Sequence, residues 1–435
     1  MFWEKDIETL DRSQLAKYQF KLLKNAIDNA HNCRFYKKIF NENNITSDKI
    51  NSIDDLKKIP FTVKQDLRNE FPDGFIAVDR SQIVRLHSSS GTTGQATAIY
   101  HTQRDLNVWT NLVARSLYMS GFRNTDIFQN MMGYGLFTGG LGLHYGAERL
   151  GMMVIPASSG NSHRQIELMQ QYKTTAVHII PSYAFYLHSY FEKNGLDPKK
   201  DTYLKKAVVG AEPHTEEMRK KIEELFGIEA YNCYGLSEMN GPGVGFECSL
   251  KNGIHIWEDN YIIEIINPDT LEHVKDGEEG ELVLTILNRN ATPLFRYRTR
   301  DLTRIIDEKN KCGCGRTHLR IDRIKGRSDD MIIFKGVNVF PMQIEQIIMN
   351  TKEVGNNYII ELSSDSELIE NMKIKIEINP ETFRGSVEEL DNVKRKLLTD
   401  IKDNALISPK IELVEFNSLP CSEGKAKRVI DNRKK

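Results

Sequence analysis

The chain has no excess of charge of either sign: 59 basic residues stand against 60 acidic ones, for a formal net charge of −1. This balance excludes the broad basic footprint of a nucleic-acid binder and the polybasic patch of a membrane-surface protein. Affinity for an anionic ligand must therefore come from a local site. Long hydrophobic runs are also missing. Stretches such as Met152–Ala157 fall far short of the roughly 20 residues a bilayer span requires. The N-terminus has no basic region followed by an apolar core, so it does not read as a signal peptide. Cysteine is scarce. Six cysteines in 435 residues make no disulfide scaffold, so the expected location is the cytoplasm with the thiols reduced. In that setting, closely spaced cysteines point to metal ligation more than to bridges. Internal repeats and low-complexity tracts are absent.

What is present fits a globular enzyme. Hydrophobic residues make up 40% and charged residues 27%, and the length implies more than one domain. The first 80 residues read as helices and connections, punctuated by Pro60 and Pro72. Ile83–Ser88 reads as a strand. Further on, Ala176–Ile180, Ala207–Gly210 and Ile228–Cys233 alternate with helical stretches. The helix from about Thr215 to Phe226 carries Met218, Ile222, Leu225 and Phe226 on one face, with Gly227 placed to cap it. Strand–helix–strand with short connections implies a parallel sheet covered by helices, whose ligands bind beyond the carboxyl ends of the strands. Gly210–Pro213 and Tyr234–Glu238 fall there.

From about residue 255 closely spaced strands (Tyr261–Ile266, Glu281–Ile286) predict a β-rich subdomain reaching to about 325. A Gly/Asp segment, Gly326–Asp330, then precedes a small α+β unit. Its elements read as a strand (Met331–Lys335), a helix (Pro341–Met349), strands at Tyr358–Leu362 and Lys373–Ile378, a helix opened by Ser386–Glu389, and a last strand near Ile411–Phe416. The expected fold class is α/β: a large N-terminal domain, 1–327, of helix-covered sheets, and a small mobile α+β domain, 328–435.

Five motifs carry chemistry. Ser88, Ser89, Ser90, Gly91, Thr92, Thr93 and Gly94 form a hydroxyl- and glycine-rich loop after a strand. Such a loop lets main-chain N–H groups and hydroxyls approach a polyphosphate, although no Gly-Lys-Ser/Thr closes it as in a Walker loop. Tyr234-Gly-Leu-Ser-Glu238 offers an aromatic face for a base and a carboxylate for a divalent cation. Arg296-Tyr-Arg-Thr-Arg-Asp301 ends in an acid suited to ribose hydroxyls. Arg323-Ile-Lys-Gly-Arg-Ser-Asp-Asp330 sits at the expected boundary, and Gly424-Lys425 near the C-terminus. Taken singly, each could be a solvated linker, a turn, an ion pair or an exposed lysine. Their order and separations together are hard to obtain by chance.

With these motifs the chain resembles the acyl-adenylate-forming superfamily of acyl-CoA synthetases, adenylation domains and luciferases. Within it, the chain is most similar to the phenylacetate–CoA ligase family. The resemblance runs from Tyr36 to Asp431. Its more specific signals are Met132-Gly-Tyr-Gly-Leu-Phe-Thr-Gly-Gly-Leu-Gly142, Gly210-Ala-Glu-Pro213, Arg298-Thr-Arg-Asp301, Gly326-Arg-Ser-Asp-Asp330, Gly336-Val-Asn-Val-Phe-Pro341 and Ser422-Glu-Gly-Lys-Ala-Lys427.

The resemblance implies a role for each motif. Ser88 to Gly94 would cradle the β- and γ-phosphates of ATP. Ala211, Glu212 and Pro213 would line the adenine, with Tyr234 packed on it and Gly235 and Ser237 in the same nucleotide site. Glu238 would hold Mg²⁺ and Asp301 the ribose. Arg323 or Arg327 would meet ribose or phosphate. Lys425 would bridge carboxylate and α-phosphate, with Lys427 as runner-up. Asp329 would be the hinge. Lys335, Gly336 and the loop to Phe340 would serve nucleotide and coenzyme A binding. Tyr134, Gly135, Phe137 and the Gly139–Gly142 run, with Ala211 at the floor, would form an apolar slot for an aryl acid such as phenylacetate, unless that stretch is plain core packing. A homodimer is the family expectation. Gln95 departs from the pattern, because many members have lysine there and an amide adds no charge.

Cys248, His255, Cys312 and Cys314 form a candidate structural zinc site, with His318 competing for the fourth position. The alternative is a buried Cys248 and two free thiols in a loop. Two further functional classes remain open from sequence: a nucleotidyltransferase that adenylates a hydroxyl of a larger cofactor, and an adenylate-binding protein without turnover.

Overall fold

The computed structural model describes residues 1–88, 96–306, 311–335, 337–364, 370–380, 382, 386–420 and 427–433. The chain divides into two compact units. One comprises Met1–Ile179, Thr202–Ala211 and Tyr231–Arg323; the other comprises Ile180–Asp201, Glu212–Ala230 and Ile324–Lys435.

The first unit is built on an eight-stranded sheet. Met153–Ile155, Ile127–Asn130, Ala176–Ile179 and Lys206–Val209 run parallel. Glu229–Leu236 follows, and Gly241–Glu247, Ile254–Ile256 and Arg320–Ile321 extend the sheet antiparallel. Every residue of Ala176–Ile179 is buried, as expected of a strand covered on both faces. The helix Gln103–Met119 starts at a reciprocal box between Thr102 and Asp105. The helix Thr138–Leu150 lies close against it because Gly142 and Gly146 lack side chains. A Cβ on Gly146 would stand 2.2 Å from Val113 Cγ1, and one on Gly142 would stand 2.4 Å from the Trp109 ring. A separate antiparallel meander is formed by Tyr261–Ile266, Gly280–Ile286 and Tyr297–Thr303.

Two boundaries differ from the sequence reading. The strand expected to stop at Cys233 continues through Glu229–Leu236. Gly235 permits this, since a Cβ there would meet the Gly241 carbonyl oxygen at 1.8 Å. The closely spaced strands also begin earlier, at Gly241. Gly241–Glu247 and Ile254–Ile256 join the large sheet, not a separate β-rich layer.

In the second unit the helix Glu216–Phe226 is capped by Thr215 and, as its sequence predicts, ends on Gly227 at φ 65°. The C-terminal sheet has the order Lys410–Val414, Glu370–Ile378, Val354–Ser364, Val429–Asn432. Helices Pro341–Met349 and Val387–Ala405 bury Ile344, Ile348, Leu397 and Ile401 in one core with Ile360, Ile374 and Ile376 of the sheet. The Ser386 hydroxyl accepts from the Glu389 N–H at 3.1 Å, which fixes the start of the long helix.

Burial makes one prediction. His178, inside the strand Ala176–Ile179, is pushed down from 6.5 to about 4 by loss of hydration. The unfolded chain takes up a proton near 6.5, while the folded chain resists it to about 4. Stability is therefore full above 6.5 and falls as the pH drops through that window, by ~1.4 kcal/mol per pH unit from this residue. Urea unfolding of the wild type and His178→Gln at several pH values should show a flatter decline for the variant. Parallel declines would refute the assignment.

Candidate active site

The nucleotide-site candidates of the first unit gather at the carboxyl end of Glu229–Leu236. The Tyr234 hydroxyl donates to Asp301 Oδ2 at 2.6 Å. Asp301 is presented by the strand Tyr297–Thr303 after Arg300 at φ 69°, a left-handed position that turns the carboxylate at a cost in backbone strain. Buried ion pairs lock that strand: Arg296 with Glu264 at 2.8 Å and Arg298 with Glu281 at 2.7 Å. Glu238 lies in the short turn Ser237–Met239, is only 5% exposed, and its Oε1 makes no hydrogen bond among the described residues. The Ser237 hydroxyl is 3.3 Å from the Thr138 hydroxyl. The buried Glu238 carboxylate oxygen, which the Lys64 ammonium faces at 3.3 Å, is of the hard-oxygen kind that a divalent cation such as Mg²⁺ takes.

Ser88, at the start of the Ser/Gly/Thr-rich loop, is buried, and its N–H donates to the Leu136 carbonyl at 2.9 Å. His87 Nδ1 contacts the same carbonyl at 3.0 Å. The loop entry is thus fastened to the stretch Tyr134–Phe137. Ser89, Ser90, Gly91, Thr92, Thr93, Gly94 and Gln95 lie outside the described residues. In the aryl-acid stretch, Tyr134 is half-buried, and its hydroxyl accepts from Asn130 at 2.9 Å and lies 3.1 Å from His144 Nδ1. Gly135 has open space about its Cα, and Leu136 and Phe137 are exposed. Gly139, Gly140 and Gly142 are packing positions: Cβ atoms there would strike Met132, the Gly133 carbonyl and Trp109.

Ala211 is exposed and holds φ 73° just past the strand Lys206–Val209. Glu212 is half-buried and accepts from the Ser182 N–H at 2.6 Å and the Ser182 hydroxyl at 3.1 Å; Pro213 is exposed. Arg323 pairs with the buried Glu247 at 2.6 Å. Arg327 donates to both carboxylate oxygens of Asp329, at 2.8 and 2.9 Å. Lys335 is exposed at φ 49°, with its N–H on Glu370. Gly336 and Lys425 lie outside the described residues, and Lys427 is exposed.

The candidate metal ligands Cys248, His255, Cys312 and Cys314 converge, with their ligand atoms all within 4.8 Å of one another. His318 is not among them. Its Nδ1 accepts from the Glu258 N–H at 3.0 Å and its Nε2 donates to the Ile7 carbonyl at 3.0 Å.

Lys64 was not apparent from the sequence. Its ammonium stands 3.3 Å from Glu238 Oε1. It opens the helix Lys64–Asn69, some 170 residues from its partner, and no local periodicity marks it. Asn130 and His144, which hold Tyr134, were missed for the same reason.

Comparison with known proteins defines the class first. The model described as "AMP-binding enzyme" matches residues 40–286, and that described as "AMP-binding enzyme C-terminal domain" matches 336–433. The chain is an adenylate-forming, AMP-forming acid–CoA ligase that uses ATP and coenzyme A. Phenylacetate-coenzyme A ligase from Aromatoleum evansii is 42% identical over 433 residues, covering 99% of this chain and 97% of the relative. The enzyme of that name from Pseudomonas putida is 43% identical over 434 residues, covering 98% and 96%. A crystal structure of 2-hydroxyisobutyryl-CoA ligase in complex with 2-HIB-AMP, at 26% identity, superposes with a TM-score of 0.92 and covers 99% of this chain and 92% of that one. The chain belongs to the phenylacetate–CoA ligase family.

Removing the Glu281 carboxylate should leave Arg298 and the neighbouring Arg300 without their buried counter-charge. Glu281→Ala is expected to lose ~3–5 kcal/mol in equilibrium urea unfolding. A loss below ~1 kcal/mol would show that the pair does not anchor the strand that carries Asp301.

Proposed function

We propose that the acid is phenylacetate or a close aryl acetate, and that the residues above act in the roles the family pattern assigns them. The observation that supports the nucleotide assignment is the bond between Tyr234 and Asp301, a phenol and a carboxylate side by side, as a base-stacking ring and a ribose acceptor would need to be. The substrate assignment draws on the named relatives and on the exposed apolar loop Tyr134–Phe137.

Adenylation brings a carboxylate against a triphosphate, so positive charge must sit where the negative charge builds up. Lys425 is the residue proposed to bridge the carboxylate and the α-phosphate. Glu238 would hold Mg²⁺, which would supply charge that offsets the departing pyrophosphate. Lys64 provides a counter-charge to Glu238. Ser88–Gly94 cradle the β- and γ-phosphates, Ala211, Glu212 and Pro213 line the adenine, and Gly235 and Ser237 complete that wall. Arg323, paired with Glu247, or Arg327, paired with Asp329, meets ribose or phosphate. In the second half-reaction the C-terminal region, 328–435, turns about Asp329 and brings the Lys335–Phe340 segment to the thiol of coenzyme A. A homodimer in the cytoplasm completes the reading; no helix among the described residues is long and apolar enough to cross a membrane.

Lys425→Ala should abolish phenylacetate-dependent pyrophosphate release, by at least ~100-fold, yet spare thioester formation from supplied phenylacetyl-AMP. Equal loss of both steps would overturn the role of Lys425. Across a panel of aryl and alkyl acids, kcat/KM should peak at phenylacetate. A peak at an unrelated acid would overturn the substrate, and turnover indifferent to coenzyme A would favour adenylation of a hydroxyl.

A further inference from the structure

We propose that Cys248, His255, Cys312 and Cys314 hold one structural zinc ion, and that this ion clasps the N-terminal segment onto the first unit. The chemistry of the four residues and their spacing agree. Cys248 and Cys312 sulfurs are 3.6 Å apart, and Cys314 sulfur is 3.5 Å from His255 Nε2. Tetrahedral zinc with ~2.3 Å bonds to sulfur and ~2.0–2.1 Å bonds to nitrogen sets neighbouring ligand atoms ~3.5–3.8 Å apart. A disulfide would need sulfurs ~2.05 Å apart, and these cysteines are free.

The backbone is arranged to deliver the ligands. Cys248 follows the strand Gly241–Glu247, and His255 sits in Ile254–Ile256, whose register places it opposite Phe246 and Arg320. Cys312 and Cys314 lie on a tight turn closed by the Gly315 N–H on the Cys312 carbonyl at 3.1 Å, with Gly315 at φ 83°. Cys248, His255 and Cys312 are buried. The Nδ1 of His255 has no hydrogen-bond partner among the described residues, so the ring commits its polar contact at Nε2, the atom facing the thiols. Three thiolates and one imidazole fill four positions and leave none for substrate, which is the arrangement of a structural site.

The clasp follows from what the next four residues do. Arg316 pairs with the fully buried Glu8 at 2.6 Å and donates to the Met1 carbonyl at 2.9 Å. The Thr317 N–H donates to the Glu8 carbonyl at 3.2 Å, and His318 to that of Ile7. Segment Gly315–His318 is therefore one of two docks for Met1–Glu8 among the described residues, the other being Arg115 and Asn111, which hold Glu4 and Trp3. The cysteine turn, the short strand Arg320–Ile321, and the bonds of His318 and Leu319 to Glu258 and Ile256 hold the Gly315–His318 dock to the large sheet. Without the ion, a turn carrying two thiols beside the Cys248 thiol has little reason to keep this shape.

The test uses the full chain, purified under reducing conditions without an affinity tag that binds metal. Elemental analysis should find one zinc per chain. Cobalt exchanged into the site should give thiolate charge-transfer bands and the strong visible bands of a tetrahedral centre. Cys314→Ser should lose the metal, while His255→Cys, which restores four ligands, should retain it. Hydrogen exchange after chelation should deprotect residues 1–10 and 312–320 together, leaving the C-terminal sheet unchanged. Metal-free protein with reduced thiols, a disulfide among the three cysteines, or iron in place of zinc would each overturn the site. Bound zinc whose removal leaves residues 1–10 protected would overturn the clasp.

Discussion

The site of the first unit depends on charge compensation along one buried strand. Arg296 and Arg298 flank the start of Tyr297–Thr303, and each is withdrawn from water only because Glu264 and Glu281 meet it. Arg296 also donates to the carbonyls of Lys57 and Ile59, and the backbones of Thr62 and of Arg296 and Arg298 exchange hydrogen bonds. The same network therefore fixes two things. It carries Asp301 to Tyr234, and it fastens the segment two residues before Lys64, whose ammonium reaches Glu238. Such a network costs desolvation. It contributes a defined position for acids that would otherwise repel their surroundings.

Glycine supplies the second constraint. Gly142, Gly146 and Gly235 act by the side chains they lack, letting a helix touch Trp109 and Val113 and letting a strand end pass under the Gly241 carbonyl. The stretch Met132–Gly142 thus divides its work. Its later glycines pack, and its first residues, Tyr134 to Phe137, stay open and tie to Ser88 through the Leu136 carbonyl. The end of the strand Ile83–Ser88 and the stretch Tyr134–Phe137 are joined at the Leu136 carbonyl, which meets both the Ser88 N–H and His87 Nδ1.

Much of this was legible in the sequence where the signal is local. The strand Ile83–Ser88, the helix Pro341–Met349 and the Gly227 cap follow from short-range pattern and appear as read. Motif identity pointed to Tyr234, Glu238 and Asp301, and spacing of thiols pointed to the cysteine cluster. Long-range partners were not legible. Lys64 for Glu238, Glu247 for Arg323 and Glu281 for Arg298 are each set by tertiary packing that no window of sequence contains. The strand carrying Tyr234 ran past its expected end because the glycine that reads as a turn signal served as a close-approach position. The choice of His255 over His318 likewise needed the fold, which gives both His318 nitrogens to the main chain.

The central claim is that Tyr234 and Asp301 act as one unit on the nucleotide. Calorimetric titration of AMP into the wild type, Tyr234→Phe, Asp301→Asn and the double variant tests it directly. If the 2.6 Å bond positions the acid, the losses should be non-additive, with a coupling of at least ~1 kcal/mol and the double variant little worse than Asp301→Asn alone. Losses that add within ~0.3 kcal/mol, or AMP binding unchanged in all four proteins, would contradict it.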